Sequence, residues 1–180
     1  MTVYIAWLRG INVAGQRKVE MKRLKTVFEQ ADLLRVRTYI QSGNVVFEAA
    51  AEEEERLASR IERAIEEEFG FPVPVVLRTA DELEEVIRRN PFKEAVDSEA
   101  ISVYVSFLKE KPSKEAAASC MEIGNDVDEL IIGDREAYVL IRKNDGKSLF
   151  SNNFLEKKLK VAATTRNWAT VNKLAAIGRE

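Results

Sequence analysis

Apolar residues along this chain follow two rhythms. Short runs alternate at a period of two, and between them apolar positions recur three and four residues apart, so strands interleave with helices. Residues 2–8, TVYIAWL, are β-branched and aromatic and predict a strand. After the loop RGINVAGQRK, the spacing of Leu24, Val27, Phe28 and Ala31 predicts a helix over residues 19–31. Residues 35–40 alternate as a strand, with Val36, Thr38 and Ile40 on one face and Arg35, Arg37 and Tyr39 on the other. Gln41, Ser42, Gly43 and Asn44 predict the turn of a hairpin whose return strand is 45–48. Leu57, Ile61, Ala64, Ile65 and Phe69 mark a second helix behind the acidic run 52–55, and Gly70 ends it. A fourth strand covers 73–78, where Pro74 argues for a sheet edge.

That order, βαββαβ, is the ferredoxin-like unit, and the pattern then repeats. Thr79 and Glu82 form a capping box for a linking helix carrying Leu83, Val86 and Ile87, which stops at Asn90 and Pro91. Residues 101–108 predict a strand, and Pro112 opens a helix that runs through Cys120. Residues 129–132 and 137–142 form a hairpin about Gly133 and Asp134. Asn153 and Glu156 resemble a capping box for a helix with Phe154, Leu155 and Leu159. Residues 161–165 make a last strand, and Trp168, Val171, Leu174 and Ala175 a closing helix. The expected fold is α/β (α+β): two ferredoxin-like βαββαβ halves, or alpha-beta plaits, with antiparallel sheets and helices on one face. The expected halves are residues 1–79 and, with the linking helix, 80–180.

This topology gathers polar residues. The end of the first strand lies beside the start of the third, which brings Arg9, Gly10 and Asn12 next to Ser42, Gly43 and Asn44. In the second half the third and fourth strands finish at one rim, so Lys147, Ser148, Ser151 and Asn153 are expected near Thr165, Arg166 and Asn167. Basic side chains beside helix N-termini favour anions; the competing reading is that these residues are turn and cap residues. Residues 144–174 hold most of the groups whose purpose is not plainly a core, including Trp168 and Lys173.

Charge sharpens this only locally. The net charge is −2 over 180 residues, yet Arg9, Arg17, Lys18, Lys22, Arg23 and Lys25 face a single acid, Glu20. A second basic stretch comprises Lys143, Lys147, Lys157, Lys158, Lys160, Arg166 and Lys173. Such runs are solvated helix faces or patches for phosphates. The first strand approaches an RNA-recognition pattern, with Tyr4, Arg35, Arg37 and Tyr39 available to an open sheet face. The alternative is that this face, carrying Ala6, Leu8 and Val46, packs against the second half.

Several chemistries are excluded. The chain has no histidine, which removes histidine-activated nucleophiles and the usual zinc ligands. Cys120 is the only cysteine, so no intramolecular disulfide forms, and it is read as a buried apolar residue. The glycines of GINVAGQR have phosphate-loop spacing but lack the lysine and hydroxyl of that motif; Gly146, Lys147 and Ser148 are its tail without its start. Asp126, Asp128, Glu129 and Asp134 have no ligand spacing and are read as solvent-facing. No apolar run approaches the roughly 18 residues of a membrane span, and a cytoplasmic protein without metal or cofactor is expected.

LRGINV, TYIQSGNVVF and ATTRNWATVNKL, in this order, resemble the bacterial domain-of-unknown-function family 1697 across essentially the whole chain. The resemblance implies a duplicated ferredoxin-like fold and no known activity. The motif positions are Arg9, Gly10, Asn12, Ser42, Gly43, Asn44, Thr165, Arg166, Asn167, Trp168 and Lys173. Ala14 and Ala169 depart from the usual glycine and polar residue, and the segment around 148–150 departs from the usual basic-hydroxyl arrangement. The leading expectation is a non-enzymatic binding domain for a phosphorylated ligand, a nucleotide or a nucleic-acid strand. Arg166 and Lys147 would supply charge, Thr165 and Asn167 hydrogen bonds, and Trp168 a stacking surface. An enzyme acting on a phosphorylated small molecule and a protein-interaction module are the alternatives.

Overall fold

A computed structural model describes residues 1–123, 125–143 and 146–180. The chain divides into two units, residues 1–84 with 173–180, and residues 85–172. Among the described residues there are two four-stranded antiparallel sheets and six helices.

The first unit runs β1 (Thr2–Leu8), α1 (Met21–Gln30), β2 (Leu34–Tyr39), β3 (Asn44–Ala49), α2 (Glu54–Phe69) and β4 (Val75–Thr79). Its strand order is β2-β3-β1-β4, so β4 is an edge and Pro74 stands just before it, where a missing N–H costs no ladder bond. The apolar stripes of α1 and α2 explain why both helices lie on the sheet. Leu24, Val27 and Phe28 join Leu57, Ile61 and Ile65 over Tyr4, Ala6, Leu8, Val45 and Phe47 in one core. Each such buried side chain contributes about 1.5–3 kcal/mol. Phe47 ties the layers together, stacking on Tyr4 at 5.6 Å and meeting Phe28 edge-on at 5.4 Å between ring centroids. Gly70 takes the left-handed conformation that ends α2.

The register corrects the open-face reading of Tyr4. Tyr4 pairs with Phe47 and Ala6 with Val45, on the helix-covered face, whereas Arg37 pairs with Val46 on the other face. Tyr4 is 5% exposed, so it presents no stacking platform to RNA. On the second face Ile5, Trp7 and Val46 are also fully buried. Within this unit that side carries the chain's last residues: Arg37 Nη1 donates to the Ile177 carbonyl at 2.7 Å, and Arg35 Nη2 to the Glu180 carbonyl at 3.1 Å. Strand β2 is irregular, its register slipping between Leu34 and Arg37 where Arg35 has φ +48°. Asn44, expected in the turn, is the first residue of β3 and fully buried; its Nδ2 donates to the Tyr39 carbonyl at 2.8 Å and to Ser42 Oγ at 2.9 Å.

Helix α3 (Ala80–Arg88) opens on the expected capping box. Glu82 N donates to Thr79 Oγ1 at 3.2 Å, and Thr79 N to Glu82 Oε2 at 2.8 Å. Its residues 80–84 fall in the first unit and 85–88 in the second. Asn90 Oδ1 then accepts from Phe92 N at 2.9 Å, in the turn that follows the helix.

The second unit repeats the plan with β5 (Ile101–Leu108), α4 (Lys114–Met121), β6 (Asp128–Ile132), β7 (Glu136–Arg142), α5 (Asn152–Leu159) and β8 (Ala163–Asn167). Strand order is β6-β7-β5-β8. Leu108, Cys120, Ala137, Leu155, Leu159 and Ala163 form its helix-side core. Cys120 is buried as expected, and burial pushes its thiol pKa up, against a smaller pull from the Lys158 charge. Tyr138 is 3% exposed and its hydroxyl donates to the Val86 carbonyl at 2.7 Å. Helix α6 (Trp168–Gly178) follows β8 directly, and residues 173–178 of it belong to the first unit.

The two units repeat down to single hydrogen bonds. Leu8 N reaches the Gly43 carbonyl at 2.9 Å and Leu108 N the Arg135 carbonyl at 2.9 Å; Arg9 N reaches Pro74 at 3.0 Å and Lys109 N reaches Ala162 at 2.8 Å. Among the described residues no helix is long and apolar enough to cross a membrane.

Candidate functional site

The rim of the first unit is built where β1 ends and β3 begins. Trp7 pairs with Asn44, and the Gly43 carbonyl accepts from Leu8 N, so the two polar-glycine stretches lie side by side as the topology requires. Asn12 fastens them. Its Nδ2 donates to the Gln41 carbonyl at 2.8 Å and the Val19 carbonyl at 3.0 Å, while its Oδ1 accepts from Val19 N at 2.8 Å. Val13 bridges Gln16 across Ala14 and Gly15, which both have positive φ, making a tight two-residue turn. Ala14 therefore stands in a left-handed position where glycine would be unstrained.

Electrostatics give this rim its character. Residues 9–19 and 40–44 contain no acid and hold Arg9, Arg17 and Lys18. Arg17 Nη1 donates to the Pro72 carbonyl at 3.0 Å and its guanidinium lies 5.9 Å from the Phe71 ring centroid, so its position is fixed while its charge stays at the surface. Lys18 is exposed, Arg9 half-buried, and Ser42 half-buried under the Asn44 amide. Arg23, by contrast, is paired with Glu68.

The second unit handles its candidate residues differently. Arg166 is 8% exposed; Nη1 donates to Thr164 Oγ1 at 2.7 Å and to the Thr165 carbonyl at 3.0 Å, and burial draws its pKa down to about 10, which leaves it charged at neutral pH. Thr165 Oγ1 donates to Asn152 Oδ1 at 2.9 Å and lies 2.7 Å from Ser106 Oγ; Asn152 Nδ2 donates to the Ala163 carbonyl at 2.8 Å. Asn167 Oδ1 caps α6 by accepting from Thr170 N at 2.8 Å. Trp168 is half-buried at the first position of that helix. Lys147, Asn153 and Lys173 are exposed.

Two details differ from expectation. The residue that caps α5 is Ser151, whose Oγ accepts from Phe154 N at 3.0 Å, and Glu156 instead accepts from Ala163 N at 2.9 Å. Ser148 is held at the β6 edge: its Oγ donates to Asp128 Oδ1 at 2.7 Å, and Leu149 N donates to Asp128 Oδ2 at 2.7 Å. Asp128 is thus a turn anchor rather than a solvent-facing acid. Of the residues expected to converge, Thr165 meets the start of α5 through Asn152, while Ser148 lies on the edge opposite β8. Residues 144 and 145 lie outside the described residues. Asn152 went unrecognised because it sits in a row of three cap-forming residues, Ser151, Asn152 and Asn153.

No three carboxylates or thiols among the described residues gather to hold a metal. The candidate site is a basic, amide-rich rim on a duplicated α/β plait. Residues 1–138 match the family described as "Protein of unknown function (DUF1697)", and the chain belongs to that family. Comparison with curated proteins finds no match. The chain is similar to a conserved bacterial protein from Streptococcus pneumoniae, SP0830, with a TM-score of 0.75, 23% identity and coverage of 100% of this chain and 99% of that one. At that identity the likeness concerns the fold. The family match takes in the Arg9–Asn12 and Ser42–Asn44 stretches and ends before Thr165–Trp168.

Proposed function

We propose that this protein binds a phosphorylated ligand, a nucleotide or nucleic-acid strand, without turning it over, and that the first unit's rim makes the contact. The observation that carries the proposal is that the stretches 9–19 and 40–44, which Asn12 fastens together, hold Arg9, Arg17, Lys18, amides and Ser42 and no acid. Phosphate oxygens accept from guanidinium, ammonium and amide donors without regard to base, so such a rim favours backbone contact over sequence reading. Lys147 and Lys173 enter the reading as further exposed cations. Ser148, Ser151, Thr165, Arg166 and Asn167 enter through the turns, caps and strand they hold, and Asn153 and Trp168 through their places at the starts of α5 and α6. A cytoplasmic site of action belongs to the same proposal, in keeping with the single buried thiol.

The test is fluorescence anisotropy of a labelled single-stranded oligonucleotide with the full chain and its Lys18→Glu variant, which alters an exposed side chain. The proposal expects saturable binding that weakens several-fold in the variant, while circular dichroism stays unchanged. Equal affinity of the two proteins would overturn it.

A further inference from the structure

A groove lies in the second unit where the two repeats differ. In the first unit, residues 9–20 join β1 to α1, and this long connection reaches across the rim. Its Arg17 donates to Pro72 and stacks on Phe71, in the segment that follows α2. In the second unit the corresponding connection is residues 109–113. It meets the segment after α5 at its first residue, where Lys109 N donates to the Ala162 carbonyl at 2.8 Å, and a cavity of about 520 Å³ stays open beyond that bond, between the start of α4 and the end of α5.

The lining is basic. Lys111, Lys158 and Lys160 face one carboxylate, Glu115, together with Ser113 and Ser119. Lys111 also pairs with Asp134 at 3.0 Å, but both side chains are more than half exposed, so that pair is weak. Among the described residues Lys158 and Lys160 form no ion pair. Half-buried Val161 adds apolar surface suited to the organic part of a ligand.

Lys160 is the telling residue. It ends α5 in the left-handed conformation, φ +59°, at the place where the first unit uses Gly70, φ +82°. An L side chain is strained there and glycine is not. The second repeat thus carries a less favoured residue at the cap that lines the groove.

We propose that this groove binds a small phosphorylated molecule, with Lys158 and Lys160 on the phosphate. The proposal is independent of the first unit's rim. Isothermal titration of the full chain with inorganic pyrophosphate tests it. Saturable binding is expected, reduced about tenfold, the loss of one charge-assisted contact, by Lys160→Gly and by Lys158→Ala. Lys160→Gly is expected to raise the thermal midpoint of the free protein, so its weaker binding is not misfolding. Lys157→Ala, on the same helix but outside the groove, is expected to bind as wild type. Absence of saturable binding at millimolar pyrophosphate, unchanged affinity in Lys160→Gly and Lys158→Ala, or an equal loss in Lys157→Ala would overturn it.

Discussion

Arg78 in β4 and Arg166 in β8 make the same contact in the two repeats: each donates from Nη1 to the carbonyl of the residue before it, Leu77 at 2.6 Å and Thr165 at 3.0 Å. Each is followed by a helix cap, Thr79 and Asn167. Both arginines are nearly inaccessible, at 2% and 8% exposure. A guanidinium removed from water in this way is costly unless its donors are met, and its placement at equivalent points argues for a role in holding the strand-to-helix junction.

Arg166→Ala is therefore expected to lower the unfolding free energy by roughly 1–3 kcal/mol, through the Thr164 and Thr165 acceptors left without their donor. Urea denaturation measures it. A variant as stable as wild type would mean the side chain is held for a ligand alone.

Gly43 is the tightest point of the first rim. A Cβ there would stand 2.7 Å from Ile11 Cδ1 and 2.9 Å from Leu8 Cβ, at φ +90°. Gly43→Ala should cost about 1–3 kcal/mol from overpacking, with backbone strain added. Thermal unfolding checks this, and a midpoint within a degree or so of wild type would show that the rim yields.

Tyr138 gives a pH dependence with a definite sign. Burial, with the nearby Glu136 charge, raises its hydroxyl pKa above the unfolded value of about 10. The unfolded chain then loses this proton first, so the contribution is fully present below about pH 10 and is lost as pH rises through the folded pKa. Arg166, whose pKa is lowered, acts in the opposite direction, so the difference between wild type and Tyr138→Phe is the quantity to follow. The variant should be about 1–3 kcal/mol less stable at pH 7, with the Val86 carbonyl left unpaired, and should decline less steeply in alkali. Parallel alkaline declines in urea titrations would contradict this.

What was legible in the sequence was local chemistry with one outcome. Thr79 with Glu82, Gly70 behind an amphipathic run, and Pro74 before a strand each have one good solution, and the structure adopts them. What was not legible required knowing neighbours. Alternation shows that Tyr4 and Ile5 point to opposite faces but not which face the helices cover. Ser151, Asn152 and Asn153 all cap helices well, and only the path of the chain assigns the cap to Ser151. Asn44 has turn chemistry, yet its amide closes the turn from inside the strand.

The candidate site follows the same division. Adjacency of Arg9–Asn12 and Ser42–Asn44 came from strand order alone. The burial of Arg166 and the anchoring of Ser148 by Asp128 came from side-chain packing that no spacing encodes. The open groove beside Lys160 required seeing that one repeat has a shorter connection than the other.

The most direct test of the central claim is the salt dependence of oligonucleotide binding. Each phosphate neutralised on a single strand contributes a slope of about −0.7 in log K against log salt. Contact through Arg9, Arg17 and Lys18 predicts a slope of about −2, made shallower by about 0.7 in Lys18→Ala. A slope near zero, or one that Lys18→Ala leaves unchanged, would contradict binding at this rim.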